Sequence, residues 1–256
     1  GELPTLQQLG LEEPVDDSRA TYKFAGGETA ALIRLHEYFL NSSQAHTTKG
    51  ARSGSADHSS KLSPWLALGC ISPRKLYWEV IKHDSENNTH HSGMLILELL
   101  WRDYFRFMFK KHGQKFYKSE TDINAIEPDV PNDELFESWK NGHTGVPFID
   151  ASMHELNATG YINNYSRQMV AGYLVRELEI SWIKGAAYFE EKLIDYSPAS
   201  NRGNWAFIAG MSYDPKDNRY FNLTKPVNEL EIKGEFVDTW LPEVNGSANA
   251  NHPVSF

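Results

Sequence analysis

The sequence predicts an all-α domain, and three observations carry that reading. Apolar residues recur at helical spacing in several long stretches. No stretch shows sustained two-residue alternation. The turn-forming pairs Asn141-Gly142 and Asn245-Gly246 do not lie between alternating apolar runs, so neither reads as a hairpin. The 256 residues suffice for one large domain or two small ones, and no internal repeat divides them.

Residues 1–20 are polar and carry Pro4 and Pro14, which predicts a linker or leading arm. The helical domain is expected over residues 21–242, and a flexible C-terminal tail over 243–256. Gly26-Gly27 opens the first helix, in which Ala30, Ala31, Ile33, Leu35, Tyr38 and Phe39 recur close to helical spacing. Residues 44–58 are rich in Ser, Thr, Gly and Lys and read as a loop. A hydroxyl cluster, Ser59-Ser60-Lys61-Leu62-Ser63-Pro64, leads into Trp65-Leu66-Ala67-Leu68. Ser72-Pro73-Arg74 reads as an N-cap followed by Pro at the first helical position. Residues 94–109 form a long apolar helix bearing Glu98, Trp101, Arg102 and Asp103. The acidic, Pro-bearing stretch 126–133 is a loop, and further helices are expected near 133–140, 147–158, 164–178 and 182–194.

Composition bounds the function. Hydrophobic residues at 40% and charged residues at 23% are ordinary for a globular protein. The aromatic share of 12% is generous, and such rings can fill a core, stack on bases or flavins, or relay electrons. Cys70 is the only cysteine, so no intrachain disulfide can form and a reducing intracellular compartment is expected. No metal site is expected, because the closest histidine pair, His90-His91, is adjacent in sequence and cannot share a helix face. No apolar run is long enough to span a bilayer, and no signal-peptide pattern is present. The net charge of −9 argues against nonspecific nucleic-acid binding, so any DNA contact needs a local basic patch.

Three constellations could carry chemistry. Ser59 to Ser63 could hold a pyrophosphate through hydroxyls and backbone N–H groups, with Lys61 offsetting charge, or could be a solvated turn with a helix cap. Glu98, Trp101 and Arg102 share a helix face within a very apolar stretch. A carboxylate there marks either a site or a structural Glu98–Arg102 ion pair. The run Asp195 to Trp205 is too polar for a core helix and too rich in Asn and Ser for a simple surface loop. It could line a pocket with amide groups, or be a long capping loop.

Together these segments resemble the C-terminal domain of photolyases and cryptochromes, most closely the DASH-type cryptochromes. The resemblance is carried by Gly26 to Ala31, Ser59 to Arg74, Glu98 to Phe105, Trp139 to Ala151 and Ala158 to Gly210, and covers roughly residues 20–242. It implies a photolyase-type helical domain binding FAD in a folded-over conformation, without the N-terminal α/β antenna domain. Ser59, Ser60, Lys61, Leu62 and Ser63 would then cradle the FAD phosphates. Arg102 would lie beside the flavin, and Arg167 and Asp195 would form an ion pair near its ring. Tyr196 and Ser197 would touch the cofactor, and Asn201 would face flavin N5. Glu98 and Trp101 would contact a flipped pyrimidine pair, the first by hydrogen bonding and the second by stacking. Asn164, Gln168 and Arg52 would face lesion or DNA. Trp205 and Trp182 would be the inner electron relays.

The implied activity is light-driven repair of cyclobutane pyrimidine dimers by electron transfer from reduced FAD, the activity of a DNA photolyase. The alternatives are a blue-light photoreceptor without repair and a flavin-free remnant. Some positions depart from the family pattern. Asp129 stands where the outer relay Trp is expected, which predicts impaired or rerouted photoreduction. Thr48 replaces a flavin-contacting Tyr, Ser197 replaces a frequent Asp, and Tyr165 replaces a DNA-facing Arg. Losing that Arg compounds the acidic charge and leans the expected substrate towards single-stranded or melted DNA. Only the trailing linker of the antenna domain is recognisable at Gly1 to Thr5, so an antenna chromophore is not expected on this chain.

Overall fold

Two groups of apolar side chains organise the helices. The computed structural model describes residues 4–13, 15–40, 59–87, 93–113, 133–210 and 235–242. Every regular element among these described residues is helical. After a short 3-10 turn at Gln7–Leu9 come α1 (Glu28–Leu40), α2 (Ser63–Ala67), α3 (Pro73–Asn87) and α4 (Gly93–His112). Then come α5 (Asp133–Lys140), α6 (Pro147–Thr159), α7 (Asn164–Gly172), α8 (Trp182–Lys192), α9 (Pro198–Ile208) and α10 (Glu235–Trp240). None of the described helices is long and apolar enough to cross a membrane.

The smaller core gathers Ala31, Leu35 and Tyr38 of α1 with Leu62, Trp65, Ile71, Leu76, Val80, Leu95 and Leu99. The α1 residues keep the expected one-face spacing. The leading segment joins this core through Tyr22 and Phe24, and the Trp65 indole donates to the Ala25 carbonyl at 2.8 Å. The larger core is built on Trp139, Ile149, Met153, Leu156, Ile162, Leu174 and Trp205. Around it α6 packs on α5, α7 and α10, and α9 packs on α4, α7 and α8.

Close approach of α9 to α4 depends on Gly203, where an added Cβ would lie 2.2 Å from the Phe105 ring. Gly185 does the same for α8, leaving room for the Trp205 ring. These helices therefore meet backbone against ring.

The starts of α1, α3 and α5 agree with the sequence reading, and Ser72 Oγ accepts from Arg74 N at 3.3 Å as a cap should. Two elements differ from expectation. The helix expected over 164–178 is α-helical only to Gly172 and continues as one π turn, Tyr173–Glu177. The polar run 195–205, expected not to be a core helix, contributes most of α9. Pro198 starts it, and its amides are absorbed locally: Asn204 Nδ2 donates to Ser200 O at 2.8 Å and Asn201 Nδ2 donates across to Ala186 O at 2.8 Å. A helix facing a polar hollow tolerates amides that a helix inside an apolar core would not.

Candidate active site

Between the two cores lies a cavity of about 490 Å³, within the size range of roughly 300–1,000 Å³ usual for small-molecule sites. Its wall comes from distant parts of the chain: Ser59, Ser60, Leu62 and Ser63; Glu98, Trp101 and Arg102; Asn164, Arg167 and Gln168; Asp195, Ser197 and Ser200. An adjoining recess of about 100 Å³ shares Asn164, Arg167, Gln168, Asp195 and Ser197 with it and adds Tyr196, Asn201 and Trp205.

The hydroxyl cluster is held from behind by a residue the sequence reading passed over. Arg34 of α1 is buried and donates to the carbonyls of Ser59 (2.9 Å) and Ser60 (3.0 Å). Its signal was legible, since it is a charge on the same helix stripe as Ala31, Leu35 and Tyr38. Ser59 Oγ also lies 3.0 Å from the hydroxyl of Tyr161, in the segment between α6 and α7. Lys61 is not part of the cavity wall. Its backbone takes φ 54°, its side chain is buried and its ammonium donates to Thr21 Oγ1 at 3.2 Å.

On α4, Glu98 and Trp101 face the cavity together with Arg102. Glu98 and Arg102 do not form the ion pair that the sequence left open. Arg102 lies 3.6 Å from the Asp103 carboxylate and donates to the Leu66 carbonyl at 3.3 Å. Glu98 keeps accessible surface, but the protein around the cavity thins its hydration and raises its pKa above the ordinary carboxylate value. Trp101 is 42% exposed, stacks on Phe105 at 5.7 Å and meets Phe207 at 5.9 Å, so its ring is braced by neighbours while much of it stays accessible.

The opposite wall is electrostatic. Asn163 caps α7 by accepting from Ser166 N at 2.8 Å, which sets the first turn carrying Asn164 and Arg167. Arg167 donates through Nε to the Ile162 carbonyl and through Nη2 to Asp195 Oδ2, both at 2.8 Å. Burial alone would lower the guanidinium pKa, but the Asp195 carboxylate and its hydrogen bond hold it above the ordinary value. Asp195 Oδ1 is buried and has no hydrogen-bond partner among the described residues. Glu155 of α6, also missed from sequence, is buried nearby. Desolvation pushes its pKa up to about 7 although Lys61 and Arg167 pull it down.

The structure thus brings together nearly all the singled-out residues, with two standing apart. Lys61 turns away, and Trp182 borders neither the cavity nor the recess. Arg52, Thr48 and Asp129 lie outside the described residues. Tyr165, on α7, packs its ring against Phe148 at 5.9 Å in the larger core. As chemistry, the arrangement offers hydroxyls and backbone at one side, an ion pair with a spare buried acceptor at another, and an accessible aromatic ring beside a carboxyl. A group with phosphates and a donor-bearing ring fits it, because Asp195 Oδ1 needs a donor that none of the described residues supplies.

Residues 95–253 match the profile of the FAD binding domain of DNA photolyase. Cryptochrome DASH of Danio rerio is 43% identical over 249 residues, covering 96% of this chain and 48% of that protein. Cryptochrome DASH of Natronomonas pharaonis is 46% identical over 248 residues, covering 95% of this chain and 52% of that protein. Among solved structures, a Synechocystis cryptochrome superposes with a TM-score of 0.83 at 42% identity, covering 94% of this chain and 50% of the other. An archaeal photolyase from Sulfolobus tokodaii, solved with two FAD molecules, superposes at 0.70 and 34% identity over 87% of this chain and 48% of the other. The chain spans about half the length of the curated relatives it matches.

Proposed function

This chain belongs to the photolyase/cryptochrome family, and from that premise we propose that it repairs cyclobutane pyrimidine dimers in DNA, with single-stranded or melted DNA preferred. FAD is its cofactor. The observation that carries the reading is that Glu98 and Trp101 face the same cavity as Arg167 and Asp195.

Each wall has a task. Ser59, Ser60 and Ser63 offer the donors that would hold the FAD phosphates, and Arg167 with Asp195 would fix the flavin ring through the spare Oδ1. When bound and reduced, the cofactor supplies on absorbing blue light the electron that splits the cyclobutane ring and receives it back. A damaged pair reaches such a cavity only by leaving the base stack, as enzymes acting on bases, photolyases among them, require. Trp101 would stack its accessible ring on the extruded pair. Glu98, neutral to higher pH than an ordinary carboxyl, can donate a hydrogen bond to a pyrimidine carbonyl and so stabilise the charge that builds there.

The single-strand preference rests on charge. The chain carries a net charge of −9, and Tyr165 turns into the core where an Arg would have met a phosphate. The same feature favours a second reading, a blue-light photoreceptor that binds FAD and repairs nothing. The deciding experiment is blue-light repair of a thymine-dimer oligonucleotide by wild-type protein and Glu98→Ala, with flavin content measured in both. Repair that falls sharply in the variant at unchanged flavin content supports the photolyase reading. Equal repair overturns the role of Glu98, and no repair by either favours the photoreceptor.

A further inference from the structure

Trp205 closes the inner recess, and the rings it touches lead away from Trp182. Its neighbours are Phe189, at 5.1 Å between centroids, and Trp139, at 6.3 Å. Trp182 makes no ring contact with Trp205 among the described residues, and the Arg202 guanidinium lies 5.9 Å over its ring, where a cation makes an indole harder to oxidise. Phenylalanine is itself too hard to oxidise, so Phe189 is a dead end. Trp139 is not, and it continues edge-to-face to Tyr188 at 5.7 Å. The Tyr188 hydroxyl donates to Asn157 Oδ1 and also lies 3.3 Å from the Lys140 carbonyl. Asn157 is exposed, so this row of rings runs without a gap from the recess to the surface.

We propose that Trp205, Trp139 and Tyr188 form the electron route into the pocket, with Tyr188 as the terminal donor. The proposal rests on oxidised FAD occupying the pocket and acting, when excited by light, as the oxidant. Trp205 gives up one electron to the pocket, Trp139 restores it, and Tyr188 restores Trp139. In the net step Tyr188 loses one electron and its phenolic proton. The O–H bond breaks, the electron ends in the pocket, and the proton passes to solvent water at the surface beside exposed Asn157.

The surroundings explain why the positive hole does not stop earlier. Trp139 is fully buried and its Nε1 donates to the carbonyl of Val170, itself fully buried, at 3.0 Å, so its proton is out of reach of the solvent that could take it. A hole there remains a charge in an apolar core, which is costly. At Tyr188 the ammonium groups of Lys140 and Lys192 stand 5.6 Å and 5.5 Å from the ring centroid. They disfavour a cationic ring and favour the neutral radical left once the proton has gone. The carboxylates of Glu137 and Glu191 pair with these lysines at 2.6 Å and 3.1 Å.

The test is electron paramagnetic resonance and transient absorption of FAD-loaded protein after a blue flash, with ground-state flavin absorption measured first. Wild type is expected to give a tyrosyl radical, Tyr188→Phe to lose it together with long-lived flavin reduction, and Trp182→Phe to keep both. Tyr188→Phe retains the ring, so it leaves the packing on Trp139 in place. Trp139→Phe should also abolish the tyrosyl signal. Flavin reduction lost in Trp182→Phe but kept in Tyr188→Phe would overturn the route while leaving FAD binding intact. Absence of flavin absorption after loading would overturn the route together with its premise.

Discussion

Arg167 engages one oxygen of Asp195 at 2.8 Å and leaves the other buried at the edge of the cavity, without a partner among the described residues. Half of this carboxylate is spent on holding α7 to the segment before α9. The other half is available to a ligand. The pair is therefore both a clasp between α7 and the segment before α9 and one wall of the proposed flavin site.

Asp195→Asn should uncouple these roles. Removing one member of a buried ion pair costs about 3–5 kcal/mol, and because the Arg167 side chain is 24% exposed the low end, about 3 kcal/mol, is expected. Urea unfolding without flavin reads that cost, and FAD titration reads the accompanying loss of cofactor affinity. A variant with wild-type stability and wild-type affinity would contradict both.

Glu155 gives the fold a pH dependence with a definite sign. Burial raises its pKa from 4.5 to about 7, so the folded state holds a proton there that the unfolded state releases. Its favourable contribution is complete below pH 4.5 and is lost as pH rises through about 7. The shift is equivalent to about 3 kcal/mol. Glu155→Gln should abolish this slope, so the variant gains stability over wild type as pH rises across that window. Urea midpoints recorded at several pH values check it, and parallel curves would contradict it.

Gly203→Ala probes the seam between α9 and α4. Its Cβ would meet the Phe105 ring at 2.2 Å, so the helices must part or the ring must move, at a cost of about 1–3 kcal/mol. Combining it with Phe105→Leu should restore part of that loss. Thermal unfolding of the single and double variants measures the coupling, and additive losses would contradict the contact.

Trp101→Ala should weaken binding of a dimer-bearing single strand by about 1–3 kcal/mol, the usual worth of one stacked base. FAD affinity should hardly change, because Trp101 lines the main cavity but not the recess shared by Arg167 and Asp195. Fluorescence anisotropy in the dark measures the first and flavin titration the second.

Sequence legibility followed how locally each feature is determined. The boundaries of α5 were readable because its apolar spacing lies within eight residues. The helical state of α9 was not, because Ser197 to Asn204 looks like a loop until Gly203 is seen against Phe105 and the amides against the hollow. The π turn after Gly172 likewise has no local sign. Most cavity residues were recovered through the family pattern rather than from spacing. Glu98 and Arg102 show the limit of spacing alone: four residues apart on one helix face, they nonetheless pair elsewhere or not at all. The direction of Lys61 was hidden too, since its positive φ and its bond to Thr21 arise from tertiary packing.

One cavity must serve both cofactor and lesion. A crystal structure of the chain with FAD and a thymine-dimer oligonucleotide measures this directly. The expected result is a flavin donor at hydrogen-bonding distance from Asp195 Oδ1, FAD phosphates against Ser59 to Ser63, and the extruded pair between Trp101 and Glu98. Flavin bound outside the Arg167–Asp195 wall, or a dimer that never enters the hollow, would contradict it.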